Sequence, residues 1–268
     1  MRPLAQSAGV LSVVAVAALL VPGRAAGQFF ASADTQAHRM LATRAALTAL
    51  AQSLDSILAS PTASGADRGR ARALGYEVHS RLDGGDFRAG DRVVVRVVGE
   101  VGMADTLAVS IDGDVDLATV GTVSVRGVLR SEIEDQLGRA VARVIRDPEV
   151  HAHGLVRLSV QGEVLRPGYC NVPADAPLSD VVTAAGGLTK DAKIEDLRIE
   201  RGGVKLLDGP GLRQFIEEGR TLDDAGLRPG DQFVVPARVH HDPYGAFRLT
   251  ALLLSIPVTI YTLVKIVH

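Results

Sequence analysis

Two short stretches set the tightest limit on what this chain can fold into: FRAGDRVVVRV at residues 87–97 and LRPGDQFVVPA at residues 227–237. Each places a Gly-Asp pair, Gly90-Asp91 and Gly230-Asp231, directly before a run rich in β-branched residues. Glycine supplies the backbone angles of a tight turn, aspartate bonds its own turn, and the branched residues favour a pleated strand. The copies lie about 140 positions apart. One strand-entry device used twice predicts two α+β modules, one on each side of about residue 154.

Upstream of the first copy the period is helical. Met40, Leu47, Leu50, Leu54 and Ile57 fall on one face of a single predicted helix from Asp34 to Leu58, with Asp34 as its N-cap and Pro61 as its stop. Residues 61–69 read as a loop, and a shorter helix is expected from Arg70 to about Leu82.

Within the first module, residues 106–121 read as two strands about an Asp-Gly turn, after the strand of residues 87–100. A helix follows: Ser131 and Glu134 have capping-box spacing, and Ile133, Leu137, Val141 and Val144 form its buried stripe up to Pro148. The second module opens with a strand over residues 150–161. A hairpin turning at Pro167-Gly168 comes next, then a short helix ended by Gly186-Gly187 and two short strands.

The two ends differ from the middle. Arg2, an uncharged run from Ala8 to Val21 and the small residues Ala25-Ala26-Gly27 have the layout of a secretory signal, with cleavage expected before Gln28. At the other end, sixteen uncharged residues separate Arg248 from Lys265. As a helix they cover about 24 Å, which suits a membrane thinner than the usual core of about 30 Å. At about 100° per residue, Arg248, Ser255, Thr259 and Thr262 share an arc of about 60°, a polar stripe on an otherwise lipid-compatible helix. Such a stripe suits either water in a ring of copies or tight helix pairing.

Several chemistries lack their signatures. The net charge of −2 and the sparse aromatics give no field or stacking surface for nucleic acid. The carboxylates of DGDVD, residues 112–116, have Leu117 where a calcium loop requires glycine and Val123 where it requires glutamate. His151 and His153 share one strand face without a third metal ligand at a recognisable spacing, and AGGLTK lacks the phosphate-loop pattern. Cys170, the single cysteine, has no partner for a disulfide and no paired histidine nearby in sequence. No enzyme, cofactor or metal site is expected.

Taken in order, FRAGDRVVVRVVGE, DGDVDLATVGTVSVRG, RDPEV, QGEVLRPGYCNVP, LSDVVTAAGG and IERGG resemble the bacterial polysaccharide export family, the group of Wza-type outer-membrane capsule translocons. The resemblance implies an α+β chain with an export domain (83–153) followed by a beta-grasp-like SLBB domain (154–237); the residues outside it read as a signal peptide (1–27), a helical segment (28–82), a linker (238–246) and a C-terminal transmembrane helix (247–268). It further implies a periplasmic ring of identical subunits that passes a glycan, with the C-terminal helices in the outer membrane and an export or polymerisation partner in the inner membrane. Arg248, Ser255, Thr259 and Thr262 would then face the pore. The sequence departs from the family in lacking a lipoprotein cysteine, in having one evident SLBB domain, and in carrying the extra helical segment. A membrane-tethered periplasmic protein that holds a glycan or partner without forming a conduit, anchored in either membrane, is the other reading.

Overall fold

The computed structural model describes residues 24–100, 104–118 and 120–238. Three helices come first: α1 (Arg24–His38), α2 (Arg44–Ala59) and α3 (Gly65–Gly84). They enclose their own small core, in which Leu47, Leu50 and Leu54 of α2 meet Ala71, Leu74 and Val78 of α3 and Phe30 of α1. The single helix expected from Asp34 to Leu58 is therefore two. Asp34 lies inside α1, and the cap belongs to Thr43, whose hydroxyl accepts the N–H of Ala46 at 3.3 Å. Met40, in the break, packs into a different core from the three leucines it aligns with in sequence. The third helix also begins earlier than Arg70, capped by Ser64, whose hydroxyl accepts the N–H of Asp67 at 3.1 Å.

The first module contains β1 (Arg92–Val97), β2 (Ala104–Ala108), β3 (Asp114–Leu117), β4 (Gly121–Ser124) and α4 (Ile133–Val141). β2 pairs antiparallel with β1, while β3 pairs antiparallel with β4. The Asp112-Gly113 turn thus links two separate ladders instead of closing one hairpin. A one-turn 3₁₀ segment at Arg130–Glu132 leads into α4, and the capping contact falls two residues earlier than Ser131 and Glu134 suggest. Glu132 accepts the N–H of Leu129 at 3.1 Å, Ser131 instead donates to the carbonyl of Ala42, and Glu134 accepts the N–H of Ala152. Ile133, Leu137 and Val141 are buried as the stripe requires, whereas Val144 lies past the end of α4 and is 56% exposed.

β5 (Val150–Gly162) joins the modules without a linker. Its first part, from Val150 to Gly154, pairs antiparallel with β1, and the part from Leu155 onward pairs with β6 (Gly168–Pro173) and, in parallel, with β9 (Gln232–Val235). Between them lie α5 (Ser179–Ala184), β7 (Arg198–Arg201), β8 (Val204–Asp208) and α6 (Gly209–Glu217). The long sheet runs β2-β1-β5-β9-β7-β8, with β6 also on β5. Alternation along β5 sends Val156, Leu158 and Val160 into the core of the second module, with Phe233 and Val235 of β9 and Ile199 of β7. The core of the first module is separate, built on Val93, Val95, Leu137 and Val141. Among the described residues no helix is long and apolar enough to cross a membrane. The polar stripe of Arg248, Ser255, Thr259 and Thr262, like the uncharged run of residues 8–21, lies outside the described residues.

Candidate functional site

The two Gly-Asp stretches fold into the same turn. At the first, Gly90 has φ 88°, the N–H of Asp91 donates to the carbonyl of Arg88, and the carboxylate of Asp91 accepts the N–H of Arg88 at 3.0 Å. At the second, Gly230 has φ 93°, Asp231 bonds the carbonyl of Arg228, and its carboxylate accepts the N–H of Arg228 at 2.8 Å. Each aspartate also meets an arginine from elsewhere in its module. Arg201 donates two bonds of 2.8 Å to Asp231, and Arg130 stands 3.5 Å from Asp91. The other turn residues have equally local roles. Gly168 (φ 140°) follows Pro167 in the turn between β5 and β6. Gly186 and Gly187, both at positive φ, close α5 with bonds to Thr183 and Val182 in the pattern of a Schellman cap.

Arg130 marks the point where β5 passes from one module to the next. Its guanidinium is buried, donates to the carbonyl of Leu155 at 3.2 Å, and stacks 5.2 Å from the ring centre of Phe87. Burial pushes its pKa down, against the raising influence of Asp91 and Asp86. A side chain at Gly154 would lie 2.7 Å from this guanidinium, so glycine there lets the arginine reach the strand.

The densest polar constellation lies where the helical segment meets both modules, around residues 39–44. Arg81 of α3 donates to the carbonyls of Ala37, Arg39 and Met40, which satisfies the C-terminal end of α1. The same guanidinium forms a two-pronged pair with Asp86, the first residue after α3 and its cap, and Asp86 in turn accepts the N–H of Arg130. Arg44 at the start of α2 grips Glu132 with bonds of 2.8 and 2.9 Å and also donates to the carbonyls of Leu82 and Gly127. Those bonds from Arg44 hold the carboxyl of Glu132 below the usual carboxylate range. On the side of the second module, Asp223 is 5% exposed and accepts the N–H groups of Met40 and Leu41, while Arg39 spans Asp223 and Asp224.

The side chain of Met40 completes the joint by entering the apolar core of the second module. One six-residue turn is thus tied to the first module through Glu132, to the second through Asp223, and to the module entrance through Arg81 and Asp86. None of these residues is flagged by a local motif. The signal in the sequence is the pair Arg39 and Arg44 bracketing the apolar Met40-Leu41-Ala42.

His151 and His153 do share one face of β5, beside Arg96 of β1 and Thr106 of β2. Each contacts carboxylates rather than a common point: His151 lies 3.3 Å from Glu149, and His153 lies 3.3 Å from Asp175 in the second module. Among the described residues no three side chains are grouped to hold a metal ion. Cys170, on β6, is half-buried, and burial raises its thiol pKa. Among the described side chains no nucleophile and base are assembled.

Comparison with known proteins bears on the same residues. The family described as polysaccharide biosynthesis/export protein matches residues 86–153, and the SLBB domain family matches residues 157–211. The chain is 33% identical over 132 residues to the EPS I polysaccharide export outer membrane protein EpsA of Ralstonia nicotianae, covering 46% of this chain and 33% of that protein. It is 28% identical over 181 residues to the polysialic acid transport protein KpsD of Escherichia coli, covering 63% of this chain and 32% of that protein. The alignments thus span about a third of the length of these relatives. The two matched domains, joined here on β5, stand in the order of a polysaccharide biosynthesis/export domain (residues 86–153) followed by an SLBB domain (residues 157–211).

Proposed function

We propose that this chain is an exported, non-enzymatic component of a polysaccharide export apparatus, acting in the periplasm and at the outer membrane on a capsular polysaccharide or exopolysaccharide. The single observation that carries the reading is the pairing of an export domain and an SLBB domain on one uninterrupted strand. A shared strand resists bending between the domains, because rotation there would break ladder bonds to β1, β6 and β9. Such a frame suits repeated copies arranged around an axis, since every copy presents its surfaces at the same angle.

In this reading the copies form a homo-oligomeric ring through which the glycan passes. The segment of residues 247–268 crosses the outer membrane, with Arg248, Ser255, Thr259 and Thr262 toward the aqueous path. A partner in the inner membrane supplies the polymer. The names of the matched relatives, an outer-membrane export protein and a polysialic acid transport protein, support the substrate class.

The test is genetic and chemical. A strain lacking the chain should lose surface polysaccharide and retain polymer inside the envelope, and the intact chain should restore export. Normal surface polysaccharide in the deletion strain would remove the export role. Cysteines introduced at Ser255 and Thr259, in a Cys170→Ser background, should react with a membrane-impermeant thiol reagent more readily than one at Leu253. Equal protection of all three would reduce the segment to an anchor.

A further inference from the structure

The strand that joins the two modules turns one face to their cores and the other to water. Alternation along β5 buries Val150, Ala152, Val156 and Leu158, and sends His151, His153, Leu155, Arg157 and Ser159 the other way. Register carries this outer face onto the neighbouring strands: Arg96 of β1 stands opposite His151, Val94 opposite His153, Asn171 of β6 opposite Arg157, and Tyr169 opposite Ser159. Arg92, four residues from Arg96 on β1, is on the same side. From His151 to Ser159 the strand advances about 27 Å, at about 3.4 Å per residue.

The charge on this face is one-sided. The carboxylates bordering it are engaged: Glu149 lies 3.3 Å from His151, Asp175 lies 3.3 Å from His153, and Glu134 lies 3.9 Å from His151 and accepts the N–H of Ala152. Arg92, Arg96 and Arg157 are exposed and form no ion pair among the described residues. A chain with a net charge of −2 therefore sets three unpaired guanidiniums on one sheet face.

Shape and the remaining groups define what would bind there. At the β1 end an open cleft of about 450 Å³ is lined by Val94, Arg96, Thr106, His151 and His153. At the β6 end Tyr169 is 68% exposed, and the guanidinium of Arg157, 4.2 Å from its ring centre, holds the ring in place. Ser159 and Asn171, with a hydroxyl and an amide, can each donate and accept. A long open face does not enclose a small molecule, which calls for a concave pocket; it suits an extended polymer. Guanidinium forks match carboxylates, the exposed ring offers an apolar surface to the C–H side of a sugar, and the neutral polar groups between them match sugar hydroxyls. A protein partner calls for a well-packed apolar centre, and apart from Tyr169 no large apolar side chain of β1, β5 or β6 on this face is exposed among the described residues.

We infer that the outer face of the sheet, from Arg96 on β1 along β5 to Tyr169 on β6, is a binding track for a carboxylate-bearing polysaccharide. Arg92, Arg96 and Arg157 meet the sugar carboxylates, and Tyr169 packs against a sugar ring. This rests on the polysaccharide role proposed above and adds the charge class of the polymer and the residues that touch it.

Fluorescently labelled polygalacturonate, with dextran as its neutral counterpart, tests the track on the full chain in mild detergent. Polygalacturonate should bind, more weakly as salt is raised, and dextran should bind at least about tenfold less tightly. Arg96→Glu and Arg157→Glu should each weaken polygalacturonate binding by about tenfold or more, with circular dichroism and particle size unchanged. Arg213→Glu, an exposed position on α6 across the sheet, should leave binding as it is. Equal affinity for the two polymers would overturn the charge class, and equal losses from Arg157→Glu and Arg213→Glu would overturn the track in favour of unspecific attraction. A change of particle size in Arg157→Glu without a change in polymer binding would make this face a contact between copies. Failure of the parent chain to bind either polymer would overturn the track and leave the export role to be decided by the deletion strain.

Discussion

Arg81 and Asp86 form a two-pronged ion pair, with contacts of 2.5 and 2.9 Å, at the point where the helical segment enters the export domain. Both side chains are largely buried, at 15% and 9% exposure. The remaining donors of Arg81 are committed to backbone carbonyls of α1 and the turn after it, so the pair is a joint rather than an isolated surface contact. Replacing Asp86 by alanine strands a buried guanidinium, which costs about 3–5 kcal/mol for a pair of this kind. Denaturant unfolding of the intact chain should show that loss, and a change under 1 kcal/mol would mean the pair is solvated in practice.

Asp223 plays the corresponding part on the SLBB side. Asp223→Ala removes the acceptor for the N–H groups of Met40 and Leu41 and one contact of Arg39. Bonds to a charged group contribute about 1.5–3 kcal/mol, so loss of this order is expected. Hydrogen exchange should rise first at residues 39–43 and at the amide of residue 223 itself, which donates to the carbonyl of Ala174. Exchange unchanged at those amides would show that Met40 packing alone holds the joint.

Glu132 makes the joint between the helical segment and the export domain sensitive to acid. Its carboxyl titrates below the usual carboxylate range because Arg44 bonds the ionised form. A depressed folded-state value means stabilisation that is fully present above the ordinary carboxylate pKa and disappears as pH falls through the lower folded value. The stability difference between the parent and Glu132→Gln should therefore be constant near neutrality and shrink below about pH 4.5. A difference that grows on acidification would contradict the assignment.

Two glycines separate permissive from obligatory positions. Gly75 is buried within α3, yet a methyl group there would meet no atom within 4 Å, so Gly75→Ala should stabilise the chain by up to about 1 kcal/mol through helix propensity. Gly162 ends β5 at φ 91°, and a methyl group would sit 1.9 Å from the carbonyl oxygen of Val235. Gly162→Ala should therefore disrupt the β5–β9 pairing and lower the melting temperature. Equal effects of the two substitutions would be inconsistent with this packing.

The features legible in the sequence were those whose cause is local. The Gly-Asp turns, the Pro167-Gly168 hairpin and the glycine pair after α5 each have their angles and hydrogen-bond partners set within a few residues. The break between α1 and α2 was hidden because Met40 stays in phase with Leu47 across it, and its determinants, Arg81 and Asp223, come from distant stretches of chain. The pairing of β2 departs from the expected hairpin for a similar reason. An Asp-Gly turn between two strand-like runs signals a hairpin, but β1 offers β2 a five-residue register and β4 takes β3. Val144 shows the limit of periodicity: the stripe continues in phase after the helix has stopped. Arg130 and Gly154 carried no motif, because their roles arise only when β5 is laid against the export domain.

Imaging single particles of the full chain, extracted from its membrane in mild detergent, tests the central claim most directly. A component of an export conduit should give a closed ring of identical copies with an open axis along which a polysaccharide can pass. A population of monomers or compact dimers with no axial opening, under conditions that preserve membrane complexes, would contradict it.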